Sequence, residues 1–154
     1  MKGNDKLIEA LNWRLAEELG AINQYMVHAE MCANWGYSTL STHMKMTARM
    51  EMGHAEKLIE RIIFLEGRPD VKRLGPIHIG INVEDMHVQD LAAETGAVEK
   101  YNATVELARK VNDNVTRELL EGILIDENGH VDYIEAAMDQ IVQMGIQNYL
   151  STQV

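Results

Sequence analysis

Apolar residues return at alternating steps of three and four along four long stretches of the chain, the spacing of one face of an α-helix. The first stretch runs Leu11, Leu15, Glu18, Ile22, Tyr25, Ala29 and Cys32. The second runs Leu40, Met44, Thr47, Glu51, His54, Leu58, Ile62 and Leu65. His87, Leu91, Glu94, Val98, Tyr101, Val105 and Ala108 form the third seam; Leu120, Ile123, Glu127, His130, Ile134, Ala137, Ile141 and Met144 form the fourth. Local chemistry marks the ends of these helices. Asn34 to Ser38 is a short turn, with Ser38 expected to cap the second helix. Gly67 followed by Pro69 is expected to stop that helix. Asn112-Asp113-Asn114 leaves almost no slack between the third and fourth, and Gly145 precedes a short fifth helix over 146–150.

Residues 67–81 show no helical period and hold both prolines, Pro69 and Pro76. Short links join antiparallel neighbours, whereas a stretch of this length can carry the chain along a bundle, so that the second and third helices run parallel. The expectation is an all-α fold over residues 1–154: a single domain of two helical hairpins joined by one long crossover.

Composition narrows the functional classes. Fourteen basic against twenty-four acidic residues give a formal charge of −10, and no Lys/Arg block interrupts the acidic surface. Such a chain is a poor nucleic-acid partner, and its charge reads either as a soluble acidic surface or as a field that draws in metal cations. Cys32 is the one cysteine, so neither an internal disulfide nor a thiolate cluster can form. The N-terminal residues lack the apolar core of a signal peptide, and no apolar run approaches the length needed to span a bilayer. A cytoplasmic location is expected.

Each apolar seam is interrupted by a carboxylate: Glu18, Glu51, Glu94 and Glu127, each near the middle of its helix. His54 and His130 follow two of them at i+3, on the same helix face. Four buried carboxylates without counter-charge would be prohibitive, whereas two divalent cations bring +4 against −4. With sixteen Glu and six His in 154 residues, chance gives about 0.6 Glu-x-x-His pairs (16/154 × 6). Three occur. The third, Glu84/His87, is read as structural: Glu84 falls in a first helical turn, and His87 stands two turns from Glu94, roughly 10 Å off the common level. The other two pairs with Glu18 and Glu94 make the ligand set of a carboxylate-rich di-metal site, suited to Fe and Mn. Glu51 and Glu127 are the natural bridges. Tyr25, two turns beyond Glu18, is a candidate donor to a site carboxylate.

The segments AINQYMVHAEMCANWGYSTL, EMGHAEKLIERIIFLEGRP, ILIDENGHVDYIE and MGIQNYL resemble bacterioferritin, and the resemblance covers nearly the whole chain. It implies a ferritin-like four-helix bundle whose six ligands, Glu18, Glu51, His54, Glu94, Glu127 and His130, form a di-iron ferroxidase centre. It further implies a homo-oligomeric 24-subunit shell built from dimers, which oxidises Fe(II) with O2 or H2O2 and stores a ferric mineral. Haem b or a related iron porphyrin is implied between subunit pairs, with Met52 as the matching ligand, and a small reductase or ferredoxin as the partner for iron release. Met52 points away from the metal seam, 100° beyond Glu51. Met46 and Met50 stand where some relatives carry His and Asp, Gly53 where Lys is common, and Leu58 and Tyr133 where some carry Tyr and Trp. Gly53 suggests close packing, since mid-helix glycine costs about 1 kcal/mol relative to alanine. A rubrerythrin would need four cysteines for its iron site, and a manganese catalase extra segments for its pocket.

Overall fold

The computed structural model describes Met1–Val154 as five helices without a strand: α1 (Asp5–Asn34), α2 (Ser38–Phe64), α3 (Val83–Lys110), α4 (Asn114–Met144) and α5 (Ile146–Ser151). The long helices form a ferritin-like four-helix bundle. α1 packs against α2 and α3 against α4, with α1–α3 and α2–α4 contacts closing it.

Three helix starts carry side-chain caps, each oxygen taking an otherwise orphaned amide. Asn4 accepts from Lys6 and Leu7, Asn82 from Asp85, and Asp113 from Thr116. The expected cap at Ser38 does not form. Ser38 is already helical, Tyr37 occupies the cap position, and the Thr39 amide donates to the Gln153 carbonyl near the C-terminus. The stop after α2 also differs from expectation. Glu66, not Gly67, takes the left-handed conformation (φ 61°), while the Gly67 amide returns to the Ile62 carbonyl at 2.9 Å. Gly67 is required for closeness instead, because a Cβ there would stand 2.6 Å from a methyl of Ile8.

The crossover lies along α1. Residues Asn12, Ala16, Gly20, Gln24 and His28 recur at i+4 and form one stripe that holds it. The Asn12 side chain donates to the Arg68 carbonyl and accepts the Asp70 amide; the Gly75 amide donates to the Ala16 carbonyl. The His78 amide donates to Gln24 Oε1, and the Gly80 amide to His28 Nε2. Because the crossover ascends alongside α1 from Asn12 to His28, α3 starts at the end where α2 starts, and the two run parallel as expected.

The buried positions follow the seams of α1, α2 and α4 closely, although Ile22 and Ile141 are only half-buried and Met144 is 40 % exposed where α4 runs out. On α3, His87, Glu94, Tyr101 and Ala108 are buried as the seam expects, but positions between them shift by one residue. Asp90 and Thr104 are buried, and Leu91, Val98 and Val105 lie on the flank. The cause is polar pairing: Asp90, 1 % exposed, accepts from Gln24 Nε2 at 2.7 Å and faces His28 Nδ1 at 3.0 Å. Since His28 Nε2 accepts the Gly80 amide, the ring proton sits on Nδ1 and is donated to Asp90.

The apolar core is split. One cluster gathers Leu7, Leu11, Leu15, Leu58, Ile62 and Leu120; the other gathers Ala29, Cys32, Leu40, Met44, Met86 and Tyr149. A polar layer at mid-bundle separates them.

Candidate metal centre

Each long helix places one carboxylate in that layer, because a residue near the middle of each of four similar helices comes to the same height. Glu18, Glu51, His54, Glu94, Glu127 and His130 are all buried, none more than 8 % exposed. They fall into two groups that could each hold a metal ion: Glu18, Glu51, His54 and Glu127, and Glu51, Glu94, Glu127 and His130. Within each group the ligand atoms lie within 4.8 Å of one another. Glu51 and Glu127 belong to both, the geometry a pair of bridging carboxylates requires.

His54 Nδ1 stands 2.9 Å from Glu51 Oε2, 3.0 Å from Glu127 Oε1 and 3.7 Å from Glu18 Oε2. His130 Nδ1 stands 3.0 Å from Glu51 Oε1 and 3.3 Å from Glu94 Oε1. Despite these approaches, Glu51 Oε1, Glu127 Oε1 and both ring nitrogens of His130 are buried without a hydrogen bond. Buried polar atoms are rarely left so. Lone pairs that converge without partners are what a cation fills, and the hard oxygen and imidazole donors fit iron or manganese.

The electrostatics agree. Burial pushes the Glu18 carboxyl up to about 8, against the His54 ring and with the help of the Glu51 charge. Glu127 is likewise raised well above the usual carboxylate range by burial. Burial works on Glu51 too, but the His130 and His54 rings outweigh it and hold that carboxyl low. Burial alone would deprotonate His54 and His130; instead Glu127, Glu18 and Glu51 raise the first strongly, and Glu51 and Glu94 raise the second to about 10. Without cations the layer gathers protons. A divalent ion supplies the same positive charge in their place.

Three further side chains orient the set. Tyr25 donates to Glu94 Oε1 at 2.5 Å, the role anticipated for it, though across the bundle to α3. Tyr101 on α3 donates in the opposite direction to Glu18 on α1. Tyr101 was legible only as an apolar seam position. The missed signal is that a tyrosine follows both Glu18 and Glu94 at i+7, giving two reciprocal phenol–carboxylate bonds. Asp126, on the outer side, faces His54 Nε2 at 3.0 Å; it fixes the ring with Nε2 protonated and Nδ1 turned to the carboxylates.

His87 stays outside both groups: it is buried, and its Nε2 meets the Tyr149 hydroxyl of α5 at 3.1 Å. Glu84 is exposed in the first turn of α3. Met52 is 48 % exposed and points away from the layer. Gly53 is not packed against this chain, since a Cβ there would meet no atom within 4 Å.

The ferritin-like domain family matches residues 8–144. The bacterioferritin of Brucella melitensis is 40 % identical over 149 residues, covering 97 % of this chain and 92 % of the relative. That of Rhodobacter capsulatus is 38 % identical over 149 residues, covering 97 % and 92 %. The bacterioferritin of Streptomyces coelicolor is 37 % identical over 152 residues, covering 99 % and 91 %.

Proposed function

The chain belongs to the bacterioferritin family, which places its function in iron storage, and we propose that it is a ferroxidase acting at the mid-bundle layer. Glu18, Glu51, His54, Glu94, Glu127 and His130 hold the iron, and Fe(II) is the substrate. The observation that carries this reading is the pair of buried ligand groups sharing Glu51 and Glu127, with converging atoms that make no hydrogen bond. Iron bound there supplies one-electron oxidation at each of two ions, so that a pair delivers two electrons to O2 or H2O2.

The protein's part is positioning and charge. Four carboxylates offset two divalent cations within a buried layer between two apolar clusters, where electrostatic terms are strong. Tyr25 and Tyr101 fix Glu94 and Glu18 by hydrogen bonds from opposite helices. Asp126 keeps the His54 Nε2 proton on the outer side, so that Nδ1 is free to bind. Loading displaces the protons that His54, His130, Glu18 and Glu127 otherwise retain.

The family further supports a homo-oligomer, and the finer reading is a 24-subunit shell, about 420 kDa at 17.4 kDa per chain, built from dimers. Haem b or a related porphyrin between paired subunits suits Met52: its thioether is exposed, and the neighbouring surface at Gly53 is open. Such a group supplies a one-electron carrier, with a small reductase or ferredoxin as donor for iron release. No helix of this chain is long and apolar enough to cross a membrane, and a cytoplasmic store is the reading we favour.

The test is Glu127→Ala, which removes a shared ligand. Rapid O2-dependent oxidation of Fe(II), followed by the absorbance of the ferric product, is lost in this variant while the shell still assembles. Unchanged kinetics would refute the assignment.

A further inference from the structure

The two sides of the metal-binding layer are built differently. Toward α2 and α4 the rings of His43 and Tyr133 stack with centroids 3.5 Å apart. The space beneath them, beside Thr47 and His130, is about 10 Å³, at the limit of a single water. Toward α1, α3 and the crossover, a cavity of about 230 Å³ is floored by Glu18, Glu94, Glu127 and Tyr101. At roughly 30 Å³ per water it has room for about seven, enough for a divalent cation with its first hydration shell.

Small residues keep this cavity open. Its α3 wall is Ala92, Ala93, Gly96 and Ala97, and a Cβ on Gly96 would meet no atom within 4 Å. The rim is held by the crossover. The Gly75 amide donates to the Ala16 carbonyl at 2.7 Å, and a Cβ on Gly75 would stand 2.9 Å from the Glu17 Cα, so only glycine permits the approach. Also at the rim, Lys100 Nζ pairs with Glu17 Oε1 at 2.5 Å; the lysine side chain is half-exposed and the glutamate largely covered. The second oxygen, Glu17 Oε2, is buried and makes no hydrogen bond, although Arg14 lies 3.2 Å away.

We propose that this cavity is the entrance through which hydrated Fe(II) reaches the layer, with Glu17 and Lys100 as its gate. The inference rests on the metal centre argued above. Lys100 occupies the rim carboxylate until an arriving cation displaces it. A half-exposed ion pair contributes at most about 1 kcal/mol, so it yields readily. Besides Glu17, the only carboxylates that line the cavity are those of its floor, and the ion passes from Glu17 to them.

The experiment follows Co(II), whose visible bands report carboxylate and imidazole ligation, entering the assembled, metal-stripped protein by stopped flow. An equilibrium titration of the same samples gives the final stoichiometry. Gly96→Leu slows entry by about tenfold or more, as expected for a blocked access step, yet ends at the wild-type content, one Co(II) for each of the two ligand groups. Ala92→Leu, on the same wall, repeats the effect and guards against a local defect of the first variant. Lys100→Met speeds entry, and Tyr133→Ala, on the opposite side, leaves it unchanged. Wild-type entry rates in both leucine variants at full stoichiometry overturn the route, as does acceleration by Tyr133→Ala. Loss of stoichiometry in both leucine variants makes the wall part of the site's frame and also overturns it. A wild type that binds no Co(II) overturns the metal centre itself, and the route with it.

Discussion

Glu18→Gln is expected to stabilise the metal-free protein while damaging its metal site. Glu18 is 3 % exposed, and burial raises its carboxyl from the ordinary 4.5 to about 8. At pH 7 the unfolded chain carries this group ionised, whereas the folded chain retains its proton, so folding must take one up. The cost is about 1.36 kcal/mol for each pH unit between 4.5 and 7, or roughly 3 kcal/mol. Glutamine has the same shape, still accepts the Tyr101 hydroxyl, and has no ionised form to lose. Metal-free Glu18→Gln should therefore gain up to roughly 3 kcal/mol at pH 7, or about 6–12 °C in Tm for a chain of this length. A carboxyl with a raised folded value penalises folding only above its unfolded value, so the advantage shrinks as the pH falls and vanishes below about pH 4, where both states hold the proton. Metal reverses the order. Co(II) raises the Tm of the wild type by mass action and that of the variant much less, because the first ligand group has lost an anionic donor. Calorimetric melts of chelator-treated protein between about pH 4 and pH 8, at one chain concentration, measure all of this. A variant less stable than wild type at pH 7, or an advantage undiminished at pH 4, would refute the reasoning.

Tyr101→Phe removes the phenol that holds Glu18, and Co(II) affinity should fall about tenfold while stoichiometry is kept, the usual scale for losing a hydrogen-bond partner of a metal ligand; equal affinities in competition titration would show that the phenol does not position Glu18. Asp90→Leu strands the His28 ring N–H and the Gln24 amide in the core and should cost roughly 2–5 kcal/mol. Hydrogen exchange would place that loss, with the His78 and Gly80 amides exchanging faster and the middle of α4 unaffected. Asp113→Ala deletes the α4 cap and the partner of the largely buried Arg61, for about 1–3 kcal/mol in urea denaturation. Asp113→Asn should recover part of it, because an amide oxygen can still cap the helix.

The six candidate ligands were legible because their signal is local. A carboxylate on an apolar seam, with histidine one turn later, announces itself within a single helix, and the mid-helix placement of all four transfers that signal to the bundle. Its weaker copy at Glu84/His87 was separable by the same reasoning, since a first-turn acid and a displaced histidine cannot share the level of the other four. Tyr101 and Asp126 were not separable. A tyrosine on a seam looks like core until its partner on another helix is known, and an aspartate next to Glu127 looks like solvent-facing surface until His54 turns toward it. Asp90 misled in the opposite sense. Apolar periodicity favoured Leu91, and only the packing of α1 brought Gln24 and His28 to the aspartate and buried it in the leucine's place.

By itself the sequence determined four amphipathic helices, their order, the long link between the second and third, and the six residues that meet at mid-bundle. All of these depend on residues within a turn or two of one another, where 100° per residue decides which side chains share a face. Tertiary structure decided the rest: the stripe on α1 that carries the crossover, the reciprocal tyrosines, the capping of α2 by the chain's own C-terminal segment, and a layer open toward α1 and α3 but closed by His43 and Tyr133. Those features join residues some 50 to 110 positions apart in the chain. Periodicity carries no information over such spans, because each partner's height and facing are set only when the helices pack.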